Sequence, residues 1–273
     1  MMLFNPDKVL AKVAKVMRHI AGESIMLFSH DGYCPICEAP ARFVAEQAWL
    51  RDHYRCAACS SIPRQRALVH LLNLLRPGWK MADIHESSPS LWFFRDHCPH
   101  YSFSYFFEDV APGTNRNGIR CENLEQLTFP DESFDVFITQ DVLEHVFAPD
   151  RALTEISRVL RPGGMHIFTT PKHKDLLESR QRARLENGQV IHLMEAVYHG
   201  NPISAEGVLV TWDYGADFIE LAERWSGYQT SAYLLHDRRL GIDGEFMDVL
   251  VMVKDEVNRK DFPNSLILSG SRH

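Results

Sequence analysis

Four cysteines place the strongest constraint on this chain. Cys34 and Cys37 form one CxxC pair and Cys56 and Cys59 another, with the 18 residues 38 to 55 between them. Two thiolates at i and i+3 on a tight knuckle bind a metal ion from one side, and a second knuckle completes a tetrahedron. Pro35 helps fix the first turn. The spacing predicts a four-cysteine zinc site, closed by its own ligands and therefore structural rather than catalytic. Cys98 and Cys121 fall outside the pattern and read as ordinary thiols.

Such a clip is small, and the chain has 273 residues, 45% of them hydrophobic. That leaves enough for one sizeable α/β domain beside it. The net charge of -7 argues against a general nucleic-acid binder, which is usually basic. The charge is uneven: residues 1–77 hold ten Lys/Arg against six Asp/Glu, or +4, which leaves -11 for the remainder. No apolar run reaches the ~18 residues that span a bilayer. The N-terminus has no signal-peptide core. Its Val9, Val13, Val16 and Ile20 recur at helical spacing among Lys8, Lys12, Lys15 and Arg18. This amphipathic helix is expected to dock on its own domain rather than on a membrane. The expected compartment is cytoplasmic, with the cysteines as thiols or metal ligands. The reading divides the chain into an amphipathic helix (1–30), a zinc ribbon with a connecting helix (31–77), a main domain (78–257) and a tail (258–273).

The connecting helix is "RQRALVHLLNLLRPG", with Leu68, Leu71, Leu72 and Leu75 on one face and Pro77-Gly78 as its stop. Beyond it, strands and helices alternate. "KMADI", "YSFSYFF", "GIRC", "FDVFITQ" and "MHIFTTP" read as strands, and "SLWFFRDHC" as a helix. "DRALTEISRVL" is a clear amphipathic helix with Leu153, Ile156, Val159 and Leu160 on its apolar side, ended by "RPGG". "ADFIELAERWSG" is a further helix, followed by the strands "QTSAYLLHD" and "EFMDVLVMVK", which are expected to pair antiparallel. This alternation implies a mostly parallel sheet covered on both faces. Residues 174–210 interrupt it. There "KDLLESRQRARLENGQ" reads as a charged helix, and the rest as an irregular lid or binding loop.

The segment "LEQLTFPDESFDVFITQDVLEHVFAPDRALTEISRVLRPGGMHIFTTP", residues 124–171, resembles class I S-adenosylmethionine-dependent methyltransferases. It is most similar to the large type-11 group with "LPF-D-SFD" before the fourth strand and "LRPGG" before the fifth. With its flanking strands the likeness extends over residues 79–255, and a subgroup with a cysteine-rich N-terminal module is also similar. The resemblance implies an α/β, Rossmann-like, seven-stranded sheet with a reversed last strand, plus the small zinc ribbon. It implies S-adenosylmethionine as cofactor, held beyond the carboxyl ends of the strands. Carried over by position, Asp83 closes the first strand, and His85 and Ser87 take the places of the usual first two glycines. Glu86 is expected to meet the ammonium of the methionine part. Glu108, rather than Asp109, is the acid for the ribose hydroxyls. Asn123 replaces the usual adenine-contacting Asp, and Leu124 offers a backbone amide beside it. Gln140 and Asp141 stand next to the transferred methyl.

Methyl transfer asks for alignment, exclusion of water and sometimes removal of a proton. His145 is the first candidate for that last task because it follows the fourth strand closely. Glu144, His173, Glu195, Tyr198 and His199 are further candidates. Glu144 and His145 are adjacent rather than a helical turn apart, which makes them a poor pair of ligands for one metal. The aromatic, histidine-containing insertion points to O-methylation of a small-molecule or glycan-type acceptor. Two alternatives stand beside this reading. One is an RNA or protein methyltransferase with the ribbon as substrate reader, although nucleic acid is not favoured. The other is a zinc-clipped scaffold without cofactor, motivated by the lack of any glycine between Gly78 and Gly113. The oligomeric state is not written in the sequence.

Overall fold

The computed structural model describes residues 26–90, 93–201 and 204–255. The N-terminal helix with Val9, Val13, Val16 and Ile20 and the tail 258–273 lie outside them. The described residues divide into two compact units, 26–66 with 237–245, and 67–236 with 246–255. Among them, no helix is long and apolar enough to cross a membrane.

The first unit is a three-stranded antiparallel sheet in the order β1 (Phe28–Cys34), β2 (Ala39–Ala45), β3 (Tyr54–Cys56). The β1–β2 turn is the first cysteine knuckle, closed by the pair Cys34 and Ala39. Phe43 and Tyr54 are fully buried with ring centroids 5.8 Å apart, and the guanidinium of buried Arg66 lies 4.8 Å from the Phe43 ring centroid. Residues 237–245 belong to this unit although they are some 170 positions downstream of Arg66: the Arg66 Nε donates to the Gly241 carbonyl at 3.0 Å, a sequence separation of 175. A Cβ on Gly32 would stand 2.3 Å from the Arg239 carbonyl oxygen, so backbone meets backbone there. The ribbon is thus completed by a segment that the sequence reading left in the main domain.

Helix α1 (Pro63–Leu75) carries the chain into the second unit, and its Leu68, Leu71 and Leu72 are buried as their spacing predicts. The second unit then runs β4 (Ile84–Ser87), α2 (Phe93–His97), β5 (Tyr101–Tyr105), β6 (Asn115–Arg116), β7 (Ile119–Cys121), β8 (Phe134–Gln140), α3 (Pro149–Val159) and β9 (Leu160–Thr169). After an insertion come α4 (Phe218–Ser226), β16 (Thr230–Leu234) and β17 (Asp248–Val253). The sheet order is β16-β17-β9-β8-β4-β5-β7-β6. Strands β4, β5, β7, β8 and β9 are parallel, and β17 runs antiparallel to both β9 and β16. This is a Rossmann-like α/β sheet with a reversed strand, extended by the short hairpin strand β6. The reversed strand lies inside the sheet, between β9 and β16, rather than at its edge. Helix α3 buries Leu153, Ile156 and Val159 in one cluster with Phe137 and Phe168 of the sheet and with Phe218 and Ala222 of α4.

Two expectations fail. "KMADI" is not the first strand: Trp79–Met81 is a 3-10 turn, and the strand covers Ile84–Ser87. The stretch 174–189 is not a helix. The insertion is built of short antiparallel pairs: β10 (Arg180–Gln181), β11 (Ala183–Glu186), β12 (Gln189–His192), β13 (Tyr198–Asn201), β14 (Ser204–Leu209) and β15 (Trp212–Asp213). Strand β11 turns into β12 at Asn187-Gly188, both with positive φ (50° and 76°). Such a two-residue turn matches the twist of a hairpin and excludes a helix.

Candidate functional site

Strand β4 sits between β5 and β8, so its carboxyl end lies in the middle of the sheet. The shifted strand changes what each residue of this stretch can do. Asp83 stands at the opposite, amino end. Its carboxylate accepts from Arg161 Nη1 at 2.7 Å, and its backbone N–H donates to Asp135 at 2.9 Å. It is structural there and out of place for a ligand at the carboxyl edge. His85 is not in a loop either. It is fully buried in mid-strand, between the hydroxyls of Ser102 (2.9 Å) and Ser104 (3.0 Å), with Phe129, Phe134 and Phe137 around its ring. Burial lowers its pKa to about 3 and keeps it neutral. Ser87 is the last residue of the strand and is also buried.

The residue that occupies a glycine's conformation is Ser88, at φ 55°. The turn is anchored by two bonds: Ser88 N–H donates to the Ser104 carbonyl at 2.8 Å, and Tyr105 Oη donates to the Pro89 carbonyl at 2.7 Å. A serine in the left-handed region costs about 1–2 kcal/mol that glycine avoids. Ser88→Gly is therefore expected to raise stability by about 1 kcal/mol, read as a higher urea midpoint at unchanged slope.

Glu86 ends up at the centre of this edge and fully buried. Tyr101 Oη donates to its Oε2 and Gln140 Nε2 to its Oε1, both at 2.8 Å. Burial pushes its pKa up to about 7, partly offset by those two hydrogen bonds. Gln140 is the last residue of β8, and its Oε1 is buried without a hydrogen-bond partner. A buried acceptor left bare costs about 1–3 kcal/mol unless something donates to it. Asp141 follows at φ 54°, with its Oδ1 accepting from Thr169 Oγ1 at 2.9 Å. Glu86, Ser87, Ser88, Gln140 and Asp141 thus converge on two adjacent strand ends. Glu108 is exposed just past β5, whereas Asp109 is paired with Arg116. Asn123 follows β7, and its Oδ1 accepts from Glu125 N–H at 2.9 Å. The Leu124 side chain goes into the core, which leaves only its backbone for a ligand. Tyr101, which carries no signal in the sequence, joins the site through Glu86.

Beyond Asp141, the 3-10 turn Leu143–His145 brings together side chains that adjacency alone makes unpromising. Glu144 is buried, its Oε2 accepts from Thr170 Oγ1 at 3.0 Å, and its backbone carbonyl accepts from Thr211 N–H and Oγ1. His145 bonds through Nδ1 to the Leu209 carbonyl at 2.8 Å, so Nδ1 carries the proton and Nε2 the lone pair. That Nε2 lies 3.9 Å from Glu144 Oε1. Burial lowers the His145 pKa to about 4. The insertion supplies His199, whose ring meets His145 edge-on at 5.3 Å between centroids. The other candidates stand apart: His173 is 3.8 Å from Asp213, and Glu195 and Tyr198 are exposed.

In the first unit the four cysteines form one cluster, with Sγ–Sγ distances of 3.8 Å for Cys34–Cys59 and for Cys37–Cys56. Thiolates about 2.3 Å from a tetrahedral ion stand about 3.8 Å apart, so the residues fit a zinc ion. The hydrogen bond with Cys34 lowers the Cys59 thiol to about 4, against burial, while two of its neighbours hold their protons. The hydrogen bond with Cys59 and then burial raise the Cys34 thiol, and burial first, then Cys59, pushes Cys37 up to about 12. Arg66, fully buried nearby, brings a compensating positive charge and is held by the carbonyls of Ser61, Tyr54 and Gly241.

Residues 105–168 match the family described as "Methyltransferase domain". Over 56 residues the chain is 43% identical to a probable S-adenosylmethionine-dependent methyltransferase of Mycolicibacterium smegmatis, which is 20% of this chain and 22% of that protein. Over 83 residues it is 34% identical to the malonyl-[acyl-carrier protein] O-methyltransferase of Methylococcus capsulatus, 30% of each. In both cases it spans less than a third of the curated relative. Among solved structures, an S-adenosylmethionine-dependent methyltransferase from Mesorhizobium loti is similar with a TM-score of 0.44 and 19% identity, over 68% of this chain and 97% of that one. The family match begins at Tyr105, so it includes Gln140 and Asp141 but not the turn that holds Glu86 and Ser88.

Proposed function

We propose that the chain, through the methyltransferase domain matched over residues 105–168, acts as an S-adenosylmethionine-dependent methyltransferase that methylates an oxygen of a small-molecule or glycan-type acceptor. The observation that carries this is the Glu86–Gln140 pair at the joined ends of β4 and β8, with the buried Gln140 Oε1 still lacking a donor. When bound, S-adenosylmethionine supplies an activated methyl group on sulfur. Glu86 is the carboxylate for its ammonium, and Gln140 Oε1 accepts a further N–H. The Ser88 turn takes the place of the usual glycine turn, in the backbone conformation that glycine would otherwise supply. Glu108 serves the ribose hydroxyls, Asn123 the adenine edge through its amide, and Leu124 the ring through its backbone. Asp141, tied to Thr169, borders the reacting centre. His145 faces the acceptor with Nε2, and the insertion strands cover that side. The four cysteines hold a structural zinc ion in the ribbon, which suits a cytoplasmic, reducing setting.

Formation of S-adenosylhomocysteine, followed with a panel of hydroxylated small molecules and free sugars, tests the reaction. His145→Ala is expected to lower turnover by about 100-fold while leaving cofactor affinity unchanged. Equal turnover in the variant would remove His145 from the reaction.

A further inference from the structure

The geometry points to a second metal site, in which Glu144, His145 and His199 hold a divalent cation of borderline softness, such as Zn2+, Fe2+ or Co2+, through one carboxylate oxygen and two imidazole nitrogens. Their donor atoms all lie within 4.8 Å of one another. A cation about 2.0–2.2 Å from nitrogen and oxygen donors needs those donors about 3–4 Å apart, and Glu144 Oε1 and His145 Nε2 are 3.9 Å apart. His199, on the hairpin strand β13, completes the set within that 4.8 Å limit.

The surroundings have the form of a metal site rather than of a chance meeting of side chains. A ligating histidine is usually oriented by a bond from its other nitrogen to a carbonyl. His145 has that bond, from Nδ1 to Leu209. Its direction fixes the tautomer that presents a lone pair at Nε2. A ligating carboxylate is in turn held by a donor on its second oxygen, and Thr170 Oγ1 holds Glu144 Oε2 at 3.0 Å. Thr211 N–H and Oγ1 fix the Glu144 backbone from the insertion side, at 2.8 and 3.0 Å. Both ligand side chains of the turn are therefore preset by partners outside the ligand set. Two imidazoles with one carboxylate leave coordination positions open for an oxygen of a small molecule, unlike the closed four-thiolate clip. With a cation bound, His145 Nε2 meets the acceptor through the metal rather than directly, and loss of His145 still lowers turnover. The site stands on its own donors and does not depend on the cofactor reading.

The test uses the full chain with its zinc clip loaded, titrated with CoCl2 and followed by visible absorption. The expected result is one further equivalent of Co2+ with the weak bands of a nitrogen–oxygen site and no sulfur-to-metal charge-transfer band. His199→Ala and Glu144→Gln are each expected to weaken that equivalent at least 10-fold. His199 lies on the hairpin of the insertion, so its loss leaves the sheet intact. Glu195→Gln, which changes an exposed acid of the same insertion, is expected to bind like the parent. Uptake of no further Co2+ at millimolar concentration, equal affinity in His199→Ala, or growth of only the thiolate band would each overturn the site.

Discussion

Cys34→Ser is expected to release the zinc ion and to unfold the first unit. That unit has three short strands and a core of few large side chains, chiefly Phe43 and Tyr54. Cores of this size rarely stand without a metal or a disulfide. Structural zinc supplies about 10–16 kcal/mol of apparent binding energy in small zinc domains, so losing one of four thiolates costs more than the unit has to spare. Arg66 compounds the effect. Its buried guanidinium balances the charged cluster, and without the cluster it is a buried cation beside protonated thiols. Because residues 237–245 belong to the same unit, the link between β16 and β17 should become accessible to protease together with residues 26–66. Zinc content and limited proteolysis check this. A Cys34→Ser chain with full zinc and parental protease resistance would contradict the clip.

Glu86→Gln is expected to stabilise the protein at alkaline pH and to weaken cofactor binding at the same time. The folded-state pKa of Glu86 is raised to about 7 from 4.5, first by burial. A raised carboxyl pKa means that the folded state prefers the protonated form. Its contribution is fully present below pH 4.5 and is lost as pH rises through 7. The loss amounts to about 3 kcal/mol at pH 8. Glutamine mimics the neutral form: it accepts from Tyr101 Oη, and Gln140, which now donates through Nε2 to Glu86 Oε1, turns its amide over so that its Oε1 accepts the new N–H. Urea unfolding should therefore show parent and variant alike at pH 4.5, with the variant ahead at pH 8. Replacing a carboxylate by an amide opposite an ammonium forfeits about 1.5–3 kcal/mol, or about 10- to 100-fold in affinity. A variant that gains nothing at pH 8 would show that Glu86 is solvated and charged in the fold.

Much of this was legible from local pattern. Strands β8, β16 and β17 and helices α3 and α4 stand where periodicity puts them, because their burial is continuous or one-sided and needs no distant partner to be read. The first strand misled for the opposite reason. "IHES" is polar and reads as a loop, yet each polar group is satisfied by another strand: His85 by Ser102 and Ser104, and Glu86 by Tyr101 and Gln140. A one-position reading of polarity cannot see partners 15 to 54 residues away. That error moved the expected turn from Ser88 to His85 and Ser87, and it drew Asp83 into a site at the far end of the strand. The hairpin at Asn187-Gly188 did carry a local signal, which the surrounding charge pattern obscured. The Glu144–His145–His199 cluster had none, since a 3-10 turn and a distant hairpin make it.

The turn at Ser88 bears on whether a glycine-poor chain keeps its cofactor. Ser88 supplies the left-handed residue that the missing glycines would otherwise provide, and the strand ends add a buried carboxylate and a bare acceptor. Calorimetric titration of the zinc-loaded full chain with S-adenosylmethionine tests this most directly. The account predicts saturable heat for one site, displaced by S-adenosylhomocysteine and weakened at least ~10-fold in Glu86→Gln. No heat and no thermal shift at millimolar ligand would contradict it and leave a zinc-clipped scaffold.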